Sequence, residues 1–252
     1  MKRILTFILT LTLALSFCVN SFAAATTATA SKTQTGTSEA QTDTSKTQAD
    51  TSEAQTDTSK VQAGASYGIS NLNGAPDIVA ESAVVMDANT GTILYGKEAD
   101  TKRYPASITK VMTALLAVEN CKMSDVITYS NAAVNGIEAG SSTAGINVGA
   151  KLTVEDSLYA LMLVSANEAA AAIAEHISGS TTEFAKLMTK RAKELGCTHT
   201  QFKNPHGLPN EEHYTTAHDM GLILKEAMKH EEFRKISGTI SYTLKKSDTL
   251  KD

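Results

Sequence analysis

The chain has 252 residues, 42% of them hydrophobic, with a net charge of -4 and an isoelectric point near 5.9. That length accommodates one sizeable domain plus extensions, and the apolar fraction suffices for a globular core. The acidic balance and the lack of a basic stretch argue against a nucleic-acid partner.

Residues 1–25 read as an export signal. Lys2 and Arg3 give the positive start, Ile4 to Phe17 form a short apolar run, and small residues follow at Ser21, Ala23, Ala24 and Ala25. Cleavage is expected after Ala23 or Ala25. The run is too short for a comfortable membrane-spanning helix, and no other apolar stretch has that length, so no anchor is expected after cleavage. Cys18 invites a lipoprotein reading, but bulky Phe17 stands where such signals require a small residue. The mature chain would keep Cys121 and Cys197, which spacing alone leaves as either a bridge or two thiols.

Residues 26–76 read as a solvated tether of Thr, Ser, Ala, Gln, Asp, Glu and Lys. Within it Thr37 to Ala49 recurs almost unchanged from Thr51 to Ala63. The repeat has almost no large apolar side chain, so stacking it could not bury a core. A spacer from the point of export, or a segment threading wall polymer, fits that composition.

Folded structure is expected over residues 77–252. Ser82–Asp87 and Thr92–Lys97 are strand-like, and Ala88-Asn89-Thr90-Gly91 supplies turn chemistry for a hairpin. Pro105 precedes a helix from about Ser107 to Glu119 with Val111, Leu115 and Val118 on one side. Thr153 and Asp156 resemble a capping box opening a helix through Leu163, and Asn167 to Ile177 is Ala-rich and helical. Ser180 and Glu183 start another helix that Gly196 closes, and Thr216 with Asp219 caps one running to about Lys229. Two strands followed by many helices imply an α+β domain lacking part of its sheet.

Two short constellations can carry chemistry. In Ser107-Ile108-Thr109-Lys110 the Ser and Lys are three apart, hence on one helix face. A serine hydroxyl needs a base to become a nucleophile, and a Lys amine serves once burial or a nearby cation makes it neutral. Near a helix start, the Ser N–H also points outward, towards an oxyanion. Ser165-Ala166-Asn167 sits at the break between two helices, where a second hydroxyl can relay a proton and an amide can hold a substrate carbonyl. Either pattern alone fits an exposed helix face or a helix cap equally well.

In this order and context the two motifs resemble the serine penicillin-binding proteins and β-lactamases. The longer phrases SAVVMDANTGTILYGKEAD, YPASITKVMTALLAVE, KLTVEDSLYALMLVSANEAA and FKNPHGLPNEEHYTTAHDM resemble the low-molecular-mass D-Ala-D-Ala carboxypeptidase family, over Ala80 to Leu244. The resemblance implies the penicillin-binding/β-lactamase-like fold, an antiparallel sheet flanked by helices, in an extracytoplasmic, wall-associated enzyme acting in cell-wall and cell-shape biology. Its substrates would be peptidoglycan stem peptides ending in D-Ala-D-Ala, its inhibitors β-lactams, and it would need no cofactor. Ser107 would be the acylated nucleophile, Lys110 the general base, Ser165 the proton relay and Asn167 the substrate-positioning amide. His206 and Asp219 lie in family-like segments without an assigned role, His206 shaping a loop and Asp219 supporting a helix terminus. His213 and His218 come nearest to a metal pair but lack metal spacing, so no metal is expected and the histidines read as surface or loop residues.

The family's third motif, Lys-Thr-Gly or Lys-Ser-Gly, does not occur. Lys32-Thr33 and Lys46-Thr47 have the wrong followers, and Lys246-Ser247 precedes Asp248. The expectation is a peptidase domain incomplete at its C-terminus, without a substrate-carboxylate cation and a second oxyanion donor, and weak or inactive. A non-catalytic wall-binding homologue and a β-lactamase are the competing readings.

Overall fold

A computed structural model describes residues 78–244. The export signal, the duplicated tether, Asp77 and the Lys246-Ser247-Asp248 stretch lie outside these residues.

The chain enters through the expected hairpin. Strands β1 (Ala83–Met86) and β2 (Ile93–Lys97) pair antiparallel, with Ala83 opposite Lys97 and a bulge between Val85 and Met86. The turn is built by Asp87, whose Oδ1 accepts the N–H groups of Asn89 at 3.0 Å and Thr90 at 2.7 Å. Gly91 then takes φ +82°, a conformation that costs a Cβ-bearing residue. The bond from Thr90 holds the Asp87 carboxyl below its usual range.

Two helices form the centre. A 3-10 turn at Ala106–Thr109 runs into α1 (Lys110–Asn120), whose Lys110 and Met112 to Ala117 are all buried. A helix apolar nearly all round has to lie inside, not on the surface. A small antiparallel pair follows: β3 (Val126–Thr128), then α2 (Asn131–Asn135) capped by Ser130, and β4 (Lys151–Thr153) with Leu152 opposite Ile127. Neither these three-residue strands nor α2 was expected from sequence. Helix α3 (Val154–Leu163) begins with the expected capping box: Thr153 Oγ1 accepts the Asp156 N–H at 3.0 Å and donates to Asp156 Oδ2 at 2.7 Å. Helix α4 (Asn167–Ser178) is buried from Asn167 to Ala174. Its alanines allow close approach to α1, α2, α3 and the next helix, α5 (Thr181–Glu194).

Gly196 at φ +91° ends the α5 turn, as its position implied. Arg191 of α5 grips Glu119 of α1 through Nη2–Oε1 at 2.6 Å and Nε–Oε2 at 3.1 Å, a two-point fork. Helix α6 (Ala217–Ala227) is capped by Thr216 and packs on β1, where a side chain on Gly221 would press into Val84 and Met86. It ends two residues before the expected Lys229, and a seven-residue helix, α7 (Glu231–Ser237), follows. Tyr129, Phe184, Met112, Leu158 and Ile173 are among the largest fully buried side chains of the resulting core. The architecture is α+β, with two separate two-stranded sheets among the described residues. Cys121 and Cys197 are free thiols, so the bridge left open by spacing is not formed.

Candidate active site

The 3-10 turn ahead of α1 fixes the first group. Ala106 sits at φ +49°, and Ser107 follows with an exposed hydroxyl in the first turn, where N–H groups lack intrahelical acceptors. One turn on, Lys110 points inward and is 3% exposed. Its Nζ lies 3.2 Å from Ser107 Oγ, 2.7 Å from Asn167 Oδ1 and 2.8 Å from the carbonyl oxygen of His206. Burial drives the Lys110 amine down to about 8, with the Glu168 carboxylate pulling it up.

The second group comes from the break between α3 and α4. Ser165 adopts φ +58°, which a non-glycine residue holds only at a cost of about 1–2 kcal/mol. That backbone aims Ser165 Oγ at Ser107 Oγ, 3.0 Å away. Asn167 opens α4, and its N–H donates to the Ser142 carbonyl at 3.0 Å. Because Asn167 Oδ1 already takes the lysine, its amide NH2 can donate elsewhere. Ser107, Lys110, Ser165 and Asn167, distant in sequence, thus form one cluster.

Sequence reasoning gave no role to the loop that closes this cluster from behind. Besides the His206 carbonyl on Lys110, the Pro205 carbonyl accepts from Thr113 Oγ1 at 2.6 Å. Asn204 Oδ1 accepts the Gly207 N–H at 2.7 Å, an Asx-type turn that the Asn-Pro-x-Gly spelling could have signalled. Gly207 stands at φ +87° against Ala106 and Thr109, and a 380 Å³ cleft lined by Tyr104, Ala106, Gly207, Pro209 and Asn210 borders it.

The histidines are not surface groups throughout. His213 is 2% exposed, with Nε2 2.9 Å from Thr109 Oγ1 and Nδ1 accepting the Lys203 N–H at 3.2 Å. That pairing requires the Nε2–H tautomer, and burial lowers its basicity to about 4. His206 also falls to about 4, through burial first and then the Lys110 and His213 charges. His218 contacts Asp100 instead, so His213 and His218 do not form a ligand pair. Asp219 does more than support the N-terminus of α6. Its buried Oδ2 accepts from the His199 N–H at 2.8 Å and Thr200 Oγ1 at 2.7 Å. Glu168 was also missed: its buried Oε1 accepts from Thr143 Oγ1 at 2.5 Å and the Ala144 N–H at 2.7 Å, holding the loop before β4.

A sequence model of the D-alanyl-D-alanine carboxypeptidases, peptidase family S11, matches residues 69–251. This chain belongs to that family. The D-alanyl-D-alanine carboxypeptidase DacF of Bacillus subtilis is 41% identical over 177 residues, covering 68% of this chain and 45% of DacF. The chain therefore spans less than half the length of that relative. Among solved structures, the carboxypeptidase DacD of Francisella tularensis is 38% identical with a TM-score of 0.59, over 64% of this chain and 40% of that one. Penicillin-binding protein 6B of Escherichia coli is 29% identical with a TM-score of 0.64, over 68% and 57%. The S11 chain thus has the penicillin-binding, α+β fold of these DD-peptidases.

Proposed function

We propose that the protein is a serine-type D-Ala-D-Ala carboxypeptidase that trims peptidoglycan stem peptides outside the cytoplasm and is acylated by β-lactams. The observation that carries this reading is the buried Lys110 amine, shared by Ser107, Asn167 and the His206 carbonyl. The names of its relatives point the same way. Among the described residues, no helix is long and apolar enough to cross a membrane.

In the proposed reaction neutral Lys110 takes the Ser107 proton as Oγ attacks the carbonyl carbon of the penultimate D-Ala. The Ser107 N–H, at the start of the 3-10 turn, faces the oxyanion, and the Asn167 NH2 holds a substrate carbonyl. Collapse breaks the C–N bond. The proton returns through Ser165 to the departing D-Ala amine, leaving an ester on Ser107. Water, deprotonated by the same Lys–Ser pair, hydrolyses the ester and restores the hydroxyl.

Fluorescent penicillin, with mass mapping of the adduct, tests the assignment. Label on Ser107 that vanishes in Ser107→Ala is expected, and release of D-Ala from a D-Ala-D-Ala peptide separates this enzyme from the non-catalytic wall-binding reading. Absence of label, or label on another residue, would overturn it. Rapid turnover of penicillin would replace it with the β-lactamase reading.

A further inference from the structure

Helices α1 and α4 lie side by side with both N-termini at the site, Lys110 meeting Asn167 there. Their other ends also converge. Cys121 immediately follows α1, His176 lies in the last turn of α4, and Asp125 sits just before β3. A sulfur, an imidazole nitrogen and a carboxylate oxygen from these three residues all lie within 4.8 Å of one another.

We propose that Cys121, Asp125 and His176 form a site for a zinc-class divalent metal ion, with water as fourth ligand. One thiolate, one imidazole and one carboxylate is a donor set suited to Zn2+; Ca2+ and Mg2+ demand oxygen. Tetrahedral coordination at bond lengths of about 2.0–2.3 Å brings donor atoms to roughly 3.3–3.7 Å from one another. Rotation of the exposed His176 ring and a small shift of Asp125 close that difference. One Asp125 oxygen already accepts the Lys122 N–H at 2.8 Å, which orients the carboxylate as a supporting hydrogen bond does in a metal site. Among the described residues, no hydrogen bond or ion pair engages the Cys121 sulfur or the His176 ring.

The Zn–S bond forms as the Cys121 thiol proton leaves to solvent, one proton per ion bound. The other carboxylate–histidine cluster, Glu119, Glu226 and His230, differs because the Arg191 guanidinium already occupies it. The ion would staple α1 to α4 about 16 Å from Lys110, the length of eleven helical residues. Its role is to hold the two helices in register, without contact with the reacting atoms.

The test is titration of the purified chain with Co2+ and Zn2+. One equivalent is expected, with a thiolate-to-Co2+ charge-transfer band that Zn2+ abolishes and Cys121→Ser lacks. His176→Ala, on the surface and safe for folding, should weaken Zn2+ binding by more than about 100-fold, since even a supporting second-shell partner is worth 10–100-fold. Zn2+ at about 100 times its Kd should raise the melting midpoint by roughly 5–11 °C, and His176→Ala should remove that shift. Absence of the band, its survival in Cys121→Ser, or undiminished Zn2+ affinity in His176→Ala would overturn the proposal.

Discussion

The α-carbon of Gly207 lies so close to the carbonyl of Ala106 that no side chain fits between them, and a Cβ would also meet Thr109 Oγ1 at 2.9 Å. Two loops 101 positions apart are therefore pressed together where one precedes Ser107 and the other presents the His206 carbonyl to Lys110. Gly207→Ala meets backbone on one side and a φ of +87° on the other, so neither partner yields cheaply. The expected cost is at least about 2 kcal/mol, or roughly 4–8 °C in melting midpoint. Acylation by penicillin should fall further than stability does, because the loop that steadies Lys110 moves. Thermal melts alongside labelling rates measure both.

With Lys110 as the proposed base, acylation should depend on pH. Its amine titrates near 8, so about one molecule in ten is neutral at pH 7 and about nine in ten at pH 9. The acylation rate should climb up to about tenfold between those values and then level off. Burial lowers this pKa while the Glu168 charge raises it, so Glu168→Gln should move the midpoint below 8. Gln keeps an oxygen for Thr143 and Ala144, so the loop it anchors should stay in place. A midpoint that is unchanged or higher would show that Glu168 does not act on the lysine through its charge.

The buried histidines predict acid sensitivity. His206 and His213 each fall to about 4, from an ordinary value of 6.5. A depressed histidine leaves stability intact above its unfolded pKa and withdraws it as pH falls through the window from 6.5 to 4. Two such groups give a slope of at most about 2.7 kcal/mol per pH unit, added to whatever the carboxylates contribute. His213→Gln keeps a donor for Thr109 but cannot bind a proton. Urea unfolding at pH 7 and pH 4.5 should show a smaller loss for this variant than for the wild type.

What sequence revealed here follows from how each contact is made. Ser107 and Lys110 were legible because three residues along a helix is a fixed geometry, and Asn167 because a break between apolar runs exposes its neighbours. The helix caps at Thr153 and Thr216 were legible for the same reason: they are local. The His206 carbonyl was not, since a backbone acceptor leaves no mark in residue identity. Strands β3 and β4 hold three residues each, too few for a period of two to emerge, and pair across 22 intervening positions. Ala106 and Ser165 hide their positive φ because neither is a glycine, asparagine or aspartate, the types that favour that conformation. The Cys121, Asp125 and His176 cluster escaped a spacing search because its third member lies on another helix.

Ser165 separates a chemical role from a conformational one. Its backbone is held at φ +58°, and its hydroxyl is 3.0 Å from Ser107. Ser165→Ala keeps the strained backbone and deletes only the hydroxyl, so stability should change little while turnover falls by about 10²–10⁴, the usual range for a lost proton-transfer group. Ser165→Gly deletes the same hydroxyl and also relieves the strain. It should melt about 2–4 °C higher if the strain is worth about 1 kcal/mol, with turnover no better than in the alanine variant. If glycine restored activity, the hydroxyl would be dispensable and the backbone alone would matter. If both variants kept full turnover, proton return to the departing amine would have to run through Lys110 directly, whose Nζ already stands 3.2 Å from Ser107 Oγ.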